Sequence, residues 1–403
     1  MTTTKADWAQ SSPTTPAEWL TRAAEVSALL AVDAVERDRE GKTPHAEVRL
    51  LKDSGLVTLL GPTRHGGGGQ DWPTAYRVVR EVAKADGSIG QLLGYHYLWF
   101  WAARLVGTSE QIEAVEELAT TNRLFFGGAV NPRDADVTIR DEGDTIVYNG
   151  HKSFSTGSKV SDLTVLEGVL EGTDKHIFAI VPSDIDGLTF HDDWDNIGQR
   201  LTESGGVTIS DVRVPWASAA GYVDKEFTPR VYNTLNVPTI QLVFVNFYLG
   251  IARGALETAR TYTAQKSRSW LHGGHERAVD EPYVLDIYGD FTAKLWAVEA
   301  LADQVAQEGL AIHQSPDLVT ERERGVHEVR VAAVKARATE VALEVTAGVF
   351  EVTGARSTAA REGLDRFWRN VRTHTLHDPV AYKRREVGVF VLRDEVPEPT
   401  WYS

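Results

Sequence analysis

Val137-Thr138-Ile139-Arg140, Asp141-Glu142-Gly143-Asp144 and Thr145-Ile146-Val147-Tyr148 follow one another near the middle of the chain. Two β-branched runs flank a cluster of turn formers, so the stretch reads as a β-hairpin. Residues 163–169, 176–181 and 207–214 are short runs of the same kind, which makes a β block of the chain from about 124 to 223. Upstream the pattern is helical. Ala17 to Arg39 carries apolar residues at helical spacing, and Trp72 to Ala85 opens after a glycine-rich loop with Pro73 in a first-turn position. Downstream of Pro238, residues 240–266, 282–307 and 321–352 return to long helical patterns. Helices, then strands, then helices is the order of an α+β fold and not of an alternating parallel sheet. There is no internal repeat and no low-complexity linker.

The chain has 403 residues, enough for two or three packed subdomains. With 42% hydrophobic and 25% charged residues it has the balance of an ordinary globular protein. A formal charge of −15 opposes binding to nucleic acid or anionic lipid, which needs clustered Lys and Arg. Met1 to Gln10 shows no basic segment followed by an apolar run, and no apolar run reaches membrane-spanning length, so a cytoplasmic, membrane-free protein is expected. The chain has no Cys, and Met1 is its only Met. Disulfides, thiolate metal sites and Cys nucleophiles are therefore excluded. An interior without oxidisable sulfur suits an enzyme that handles peroxides, although compositional drift accounts for it as well.

Several local strings carry a resemblance. They are Gly61-Pro62 through Asp71-Trp72-Pro73-Thr74, Ala85-Asp86-Gly87-Ser88, Gly94-Tyr95-His96, Asn149-Gly150-His151-Lys152, Asp192-Asp193-Trp194 and Asp365 to His374, the last continuing into Leu376-His377-Asp378-Pro379. From about Leu50 to Val387 the chain resembles the two-component flavin monooxygenases of the acyl-CoA dehydrogenase superfamily, the group of the dibenzothiophene monooxygenases and related indole or heteroarene hydroxylases. The resemblance implies an N-terminal helical domain (1–123), a central β-barrel domain (124–235) and a C-terminal four-helix bundle (236–403). It also implies reduced flavin (FMN or FAD) delivered by a separate NAD(P)H-dependent flavin reductase, because the chain has no nicotinamide fingerprint. Oxygen as co-substrate would form a C4a-hydroperoxide that oxygenates an aromatic heterocycle, by indole- or carbazole-type C-hydroxylation or dibenzothiophene-type S-oxidation. A homotetramer built as a dimer of dimers is part of the same expectation.

By the same resemblance His377 and Asp378 lie at the reactive edge of the flavin, His377 as hydrogen-bond or proton donor and Asp378 as the group that orients it. On the bare sequence the plainer reading is that His377 ties a bundle helix. Acyl-CoA dehydrogenases place a Glu base near Asp378; a side chain one methylene shorter disfavours that chemistry and leaves it as the alternative function. Ser155 and Thr156, in Phe154-Ser155-Thr156-Gly157, match a flavin-lining segment, with Thr156 as the direct contact, although the string is also an ordinary turn at a strand end. Gly128 and Ala129, in Phe126-Gly127-Gly128-Ala129, match the other flavin-facing segment; dibenzothiophene monooxygenases carry Asn where this chain has Gly128. Arg268 and Arg356, with Ser357, are the candidates for the flavin phosphate, guanidinium being a rigid bidentate donor; without the resemblance each Arg is a surface ion-pair residue. Tyr95, His96 and Trp99 belong to an unusually aromatic helix. Core packing is its default reading, and a wall for a planar substrate is the functional one. The pairs His374/His377 and His272/His275 have i, i+3 spacing but no further ligands, so no metal site is assigned. Gly66 to Gly69 lacks a phosphate-loop ending and is expected to be a flexible loop at a site entrance.

Overall fold

The computed structural model describes residues 8, 12–131 and 136–400. The N-terminal helices are α1 (Pro16–Ala31), α2 (Ala34–Glu40), α3 (His45–Asp53), α4 (Trp72–Ala85), α5 (Gly87–Val106) and α6 (Ser109–Thr121). The single helix expected from Ala17 to Arg39 is two, broken at Val32 and Asp33. Arg37 explains the break: after the turn it reaches back to Leu30 O at 2.7 Å and pairs with the buried Asp86. Asp86 in turn accepts from Ser88 N and Ile89 N, capping α5 where α4 ends. Helix α5 is buried on nearly every side and forms the axis of this half.

The glycine run is not a flexible loop. Gly68 N donates to Thr58 O and Gly69 N to Gly61 O, at 2.9 and 2.8 Å. A Cβ on Gly68 would meet the Trp19 indole at 2.6 Å, so the run is glycine because backbone passes tightly over the core.

Seven strands form the central sheet: β1 (Phe126–Ala129), β2 (Val137–Asp141), β3 (Thr145–Lys152), β4 (Leu163–Leu170), β5 (His176–Pro182), β6 (Leu188–Phe190) and β7 (Val207–Pro215). Strands β2 and β3 are the expected hairpin, with Gly143 at φ 83° and its N–H held by the Asp141 carboxylate. The order is β1-β4-β2-β3-β7-β6, with β5 on the other flank of β4; among the described residues no ladder joins β1 to β6. A short ribbon, β8 (Tyr222–Val223) with β9 (Glu226–Phe227), leads out. Lys152 and Glu167 form a fully buried pair at 2.9 Å within the sheet core.

The C-terminal helices are α7 (Asn236–Gln265), α8 (Pro282–His313), α9 (Glu321–Thr353), α10 (Asp365–His374) and α11 (Val380–Arg393). The stretch Val231–Gln265 is long and apolar enough to cross a membrane, but 89% of its most apolar window is buried within the protein. Arg80 of α4 bonds Asn246 of α7 and Asp303 of α8, tying the two helical halves together. On α10 the buried residues Arg366, Phe367, Asn370, Val371 and His374 make one stripe. Asn370 accepts from Gln199 N at 2.8 Å and Arg369 donates to Ile197 O at 2.6 Å, which fixes α10 against the sheet region.

Several buried histidines are held neutral by this packing. Desolvation pushes His313 down to about 3, and His96 and His327 to about 4. Unfolded imidazoles take up protons near pH 6.5, so the unfolded state gains protons first and stability falls as pH drops from about 6.5 toward 4. The melting temperature is expected to fall between about pH 7.5 and pH 5, and to fall less when His313 and His327 are both Gln. Equal losses in the two proteins would refute this assignment.

Candidate functional site

Two faces meet at the candidate site. The first comes from the sheet. Strand β1 runs parallel to β4, and Gly128 N donates to Thr156 O at 3.3 Å, so the Gly128 and Thr156 segments lie side by side. The Thr156 hydroxyl joins a buried chain through Ser204 (2.9 Å) and Thr202 (2.8 Å) to Gln199 O. Ser155 points elsewhere, its hydroxyl donating to Gly205 O at 2.7 Å, so only its backbone is available to a ligand. Phe154 is exposed and meets Trp194 edge to face, and the Trp194 indole N–H is held by Gln199 O.

The second face comes from the helices. Helix α10 ends at His374, and a turn closed by His377 N to His374 O brings His377 and Asp378 out before Pro379. His374 is buried, with Nδ1 bonded to Tyr248 at 2.8 Å and Nε2 to Tyr95 at 3.3 Å. Burial, with His377 and Lys335 nearby, holds it well below its usual range. His377 stacks on it, centroids 5.4 Å apart and planes at 6°, while its own side chain is 52% exposed.

Asp378 collects three partners on one carboxylate. Lys335 Nζ of α9 lies at 2.5 Å, Gln241 Nε2 of α7 donates at 2.6 Å, and His377 Nδ1 lies at 3.3 Å. Burial alone would raise this carboxyl. The hydrogen bond from His377 and the charge of Lys335 more than offset it and hold the group well below the usual carboxylate range. Lys335 is fully buried over the Phe244 ring; desolvation lowers its pKa and Asp378 opposes the shift. An ionised Asp378 facing Nδ1 favours a proton on that nitrogen, and no described residue engages Nε2.

The sequence-predicted residues fall into groups. His377, Asp378, Tyr95 and Trp99 come together: Tyr95 stacks on Phe244 at 5.9 Å, Phe244 meets His377 at 5.2 Å, and Trp99 meets Tyr95 at 6.5 Å. Trp99 also reaches the sheet face, because its indole fills the space that a side chain on Gly128 would need. Ala129 is buried in the sheet core. His96 does not line a cavity. Its Nε2 donates to Val57 O at 2.7 Å and its Nδ1 accepts from Phe126 N at 3.0 Å, so it is a structural strut between α5 and β1. The Ser357 hydroxyl is likewise engaged, with Thr353 at 2.7 Å and Gly354 O at 2.8 Å, at the end of α9.

Arg268 and Arg356 are exposed, just beyond the ends of α7 and α9, with no ion-pair partner among the described residues. Buried hydroxyls on the sheet side and a stacked imidazole wall on the helix side suit a flat heteroaromatic ring. Among the described residues no three His, Asp or Glu side chains are arranged to hold a metal.

Sequence reading missed Lys335, Gln241, Tyr248 and the role of His374. A signal existed. Gln241, Phe244 and Tyr248 recur at helical spacing on one face of α7, a face too polar for plain core, and Lys335 sits among the buried Val331, Val334, Ala338 and Ala342 of α9.

Comparison with known proteins places the chain in a family. Residues 21–120 match the acyl-CoA dehydrogenase N-terminal domain and residues 242–381 the acyl-CoA dehydrogenase C-terminal domain. Dibenzothiophene monooxygenase of Rhodococcus erythropolis is 41% identical over 389 residues, covering 92% of each chain. Among solved structures, methanesulfinate monooxygenase of Pseudomonas fluorescens superposes with a TM-score of 0.91 at 40% identity, over 95% of this chain and 99% of the other. The dibenzothiophene monooxygenase of a Paenibacillus species, solved with FMN and indole, gives 0.90 at 39% identity, over 96% and 100%. With likeness over nearly its whole length and the acyl-CoA dehydrogenase domains on either side of its sheet, the chain belongs to the flavin-dependent monooxygenases of the acyl-CoA dehydrogenase fold.

Proposed function

We propose that the protein oxygenates a small heteroaromatic substrate, at carbon in an indole-type ring or at sulfur in a thiophene-type ring, using reduced FMN and O2. The observation that carries this reading is the Lys335–Asp378–His377 chain. An α-proton base must be free to take up a proton, and Asp378 is held ionised by a buried cation and two further donors. That arrangement is poor for the acyl-CoA dehydrogenase alternative and good for orienting an imidazole.

In this reading bound reduced flavin supplies two electrons and the centre at which O2 is activated; one oxygen atom goes to the substrate and the other leaves as water. His377 would present Nε2 to the site and, as the doubly protonated ring with its Nδ1–H on Asp378, would hold or deliver a proton there. The Thr156 hydroxyl would bond the ring edge, whereas the Gly128 N–H is already taken by Thr156 O and Ala129 lies in the sheet core. Tyr95, Phe244 and Trp99 exclude water from one side. Arg268 and Arg356 hold the phosphate, from positions that suit a cofactor shared between subunits, so a homotetramer is part of the proposal. A separate NAD(P)H-dependent reductase supplies the reduced flavin, and the enzyme works in the cytoplasm.

Arg268→Ala and Arg356→Ala should each weaken FMN binding by about tenfold or more, the scale of one charge-assisted hydrogen bond. Titrating FMN against intrinsic tryptophan fluorescence reads this directly. Unchanged affinity in both variants would overturn the assignment of the phosphate site.

A further inference from the structure

We infer that Trp99 is the residue that sets substrate size, restricting the enzyme to compact substrates of one or two rings, a conclusion that rests on the heteroaromatic reading above. A Cβ built on Gly128 would lie 2.3 Å from Trp99 Cε2 and 2.5 Å from its Nε1. Real carbon atoms do not approach so closely, so this indole and a side chain at 128 exclude each other. The ring at 99 takes the volume that residue 128 would otherwise occupy, and it does so where the sheet face turns toward the helix face.

From that position Trp99 continues the aromatic wall through Tyr95 and Phe244 to His377. Its other boundary is an apolar cavity of about 30 Å³ shared with Val130, Val165 and Phe178. That is too little room for a ring. Removing the indole would free its volume next to this cavity, between the sheet face and the helix face.

Trp99 is only 6% exposed, and its indole N–H has no hydrogen-bond partner among the described residues.

The test is a graded series, Trp99→Phe, Trp99→Leu and Trp99→Ala, assayed with indole, benzothiophene and dibenzothiophene under a flavin reductase and NADH. The ratio of kcat/KM for dibenzothiophene to that for indole should rise by at least about tenfold in Trp99→Leu and Trp99→Ala, in step with the bulk removed, the scale that one or two methylene-sized contacts give. Gly128→Ala, which forces the indole to shift, should change the ratio, and adding Trp99→Leu, which removes the clash, should cancel that change. A flat ratio across variants that fold and bind FMN would overturn the inference. A wild-type protein that binds FMN but oxygenates none of the three would instead count against the heteroaromatic reading itself.

Discussion

His377→Ala is expected to bind FMN as the parent does, to form product about 100-fold more slowly, and to return most of the electrons as hydrogen peroxide. The magnitude is that of a single positioned proton donor, roughly 10²–10⁴ in rate. The reason is geometric. His377 is the one imidazole of the stacked pair with an unengaged ring nitrogen, since His374 spends both of its own on Tyr248 and Tyr95. Removing His377 takes the donor away without disturbing the core beneath, because half of the side chain is already exposed. Peroxide measured against NADH consumed reads the effect, and unchanged coupling would remove His377 from the mechanism.

Lys335→Met carries the second large effect. The parent has Asp378 ionised far below the usual carboxylate range, with burial opposing and His377 and Lys335 prevailing. A depressed carboxyl contributes stability above its unfolded value, near pH 4, and loses that contribution as pH falls toward the folded value. Without the cation the desolvation that Lys335 offsets is left to act, and the carboxyl rises. The acid limb of the pH–rate profile should therefore move upward and kcat should fall by about tenfold or more at neutral pH. Pairing the change with Asp378→Asn should recover part of the lost melting temperature, since no buried charge is then left alone. A variant that is merely less stable, with its pH profile unmoved, would make Lys335 a packing residue and not the group that poises Asp378.

The layered order of the fold was legible because each part has its own periodicity. The hairpin at 137–148 has its turn chemistry in Asp141 and Gly143, and strands 163–170, 176–182 and 207–215 lie where β-branched runs stand. What the pattern hides is tertiary. The break at Val32 depends on Arg37 finding Asp86, about fifty residues away, and the Gly66 to Gly69 run is set by Trp19 and the Leu59 backbone rather than by its own flexibility. The site divides in the same way. His377 and Asp378 were read from their string, as were Tyr95 and Trp99, and the structure brings them together, whereas Lys335 and Gln241 join them across helix interfaces that no local pattern displays. His96 was misassigned for a related reason: its ring serves two backbone groups, at Val57 and Phe126, and nothing near it in sequence announces either.

The central claim is the transfer of one oxygen atom from O2. Protein supplied with reduced FMN and indole or benzothiophene under ¹⁸O₂ should give a product carrying one labelled oxygen atom for each turnover, detected by mass spectrometry. Unlabelled product, or no product together with bleaching of oxidised flavin by an acyl thioester, would contradict the account and restore Asp378 as a dehydrogenase base.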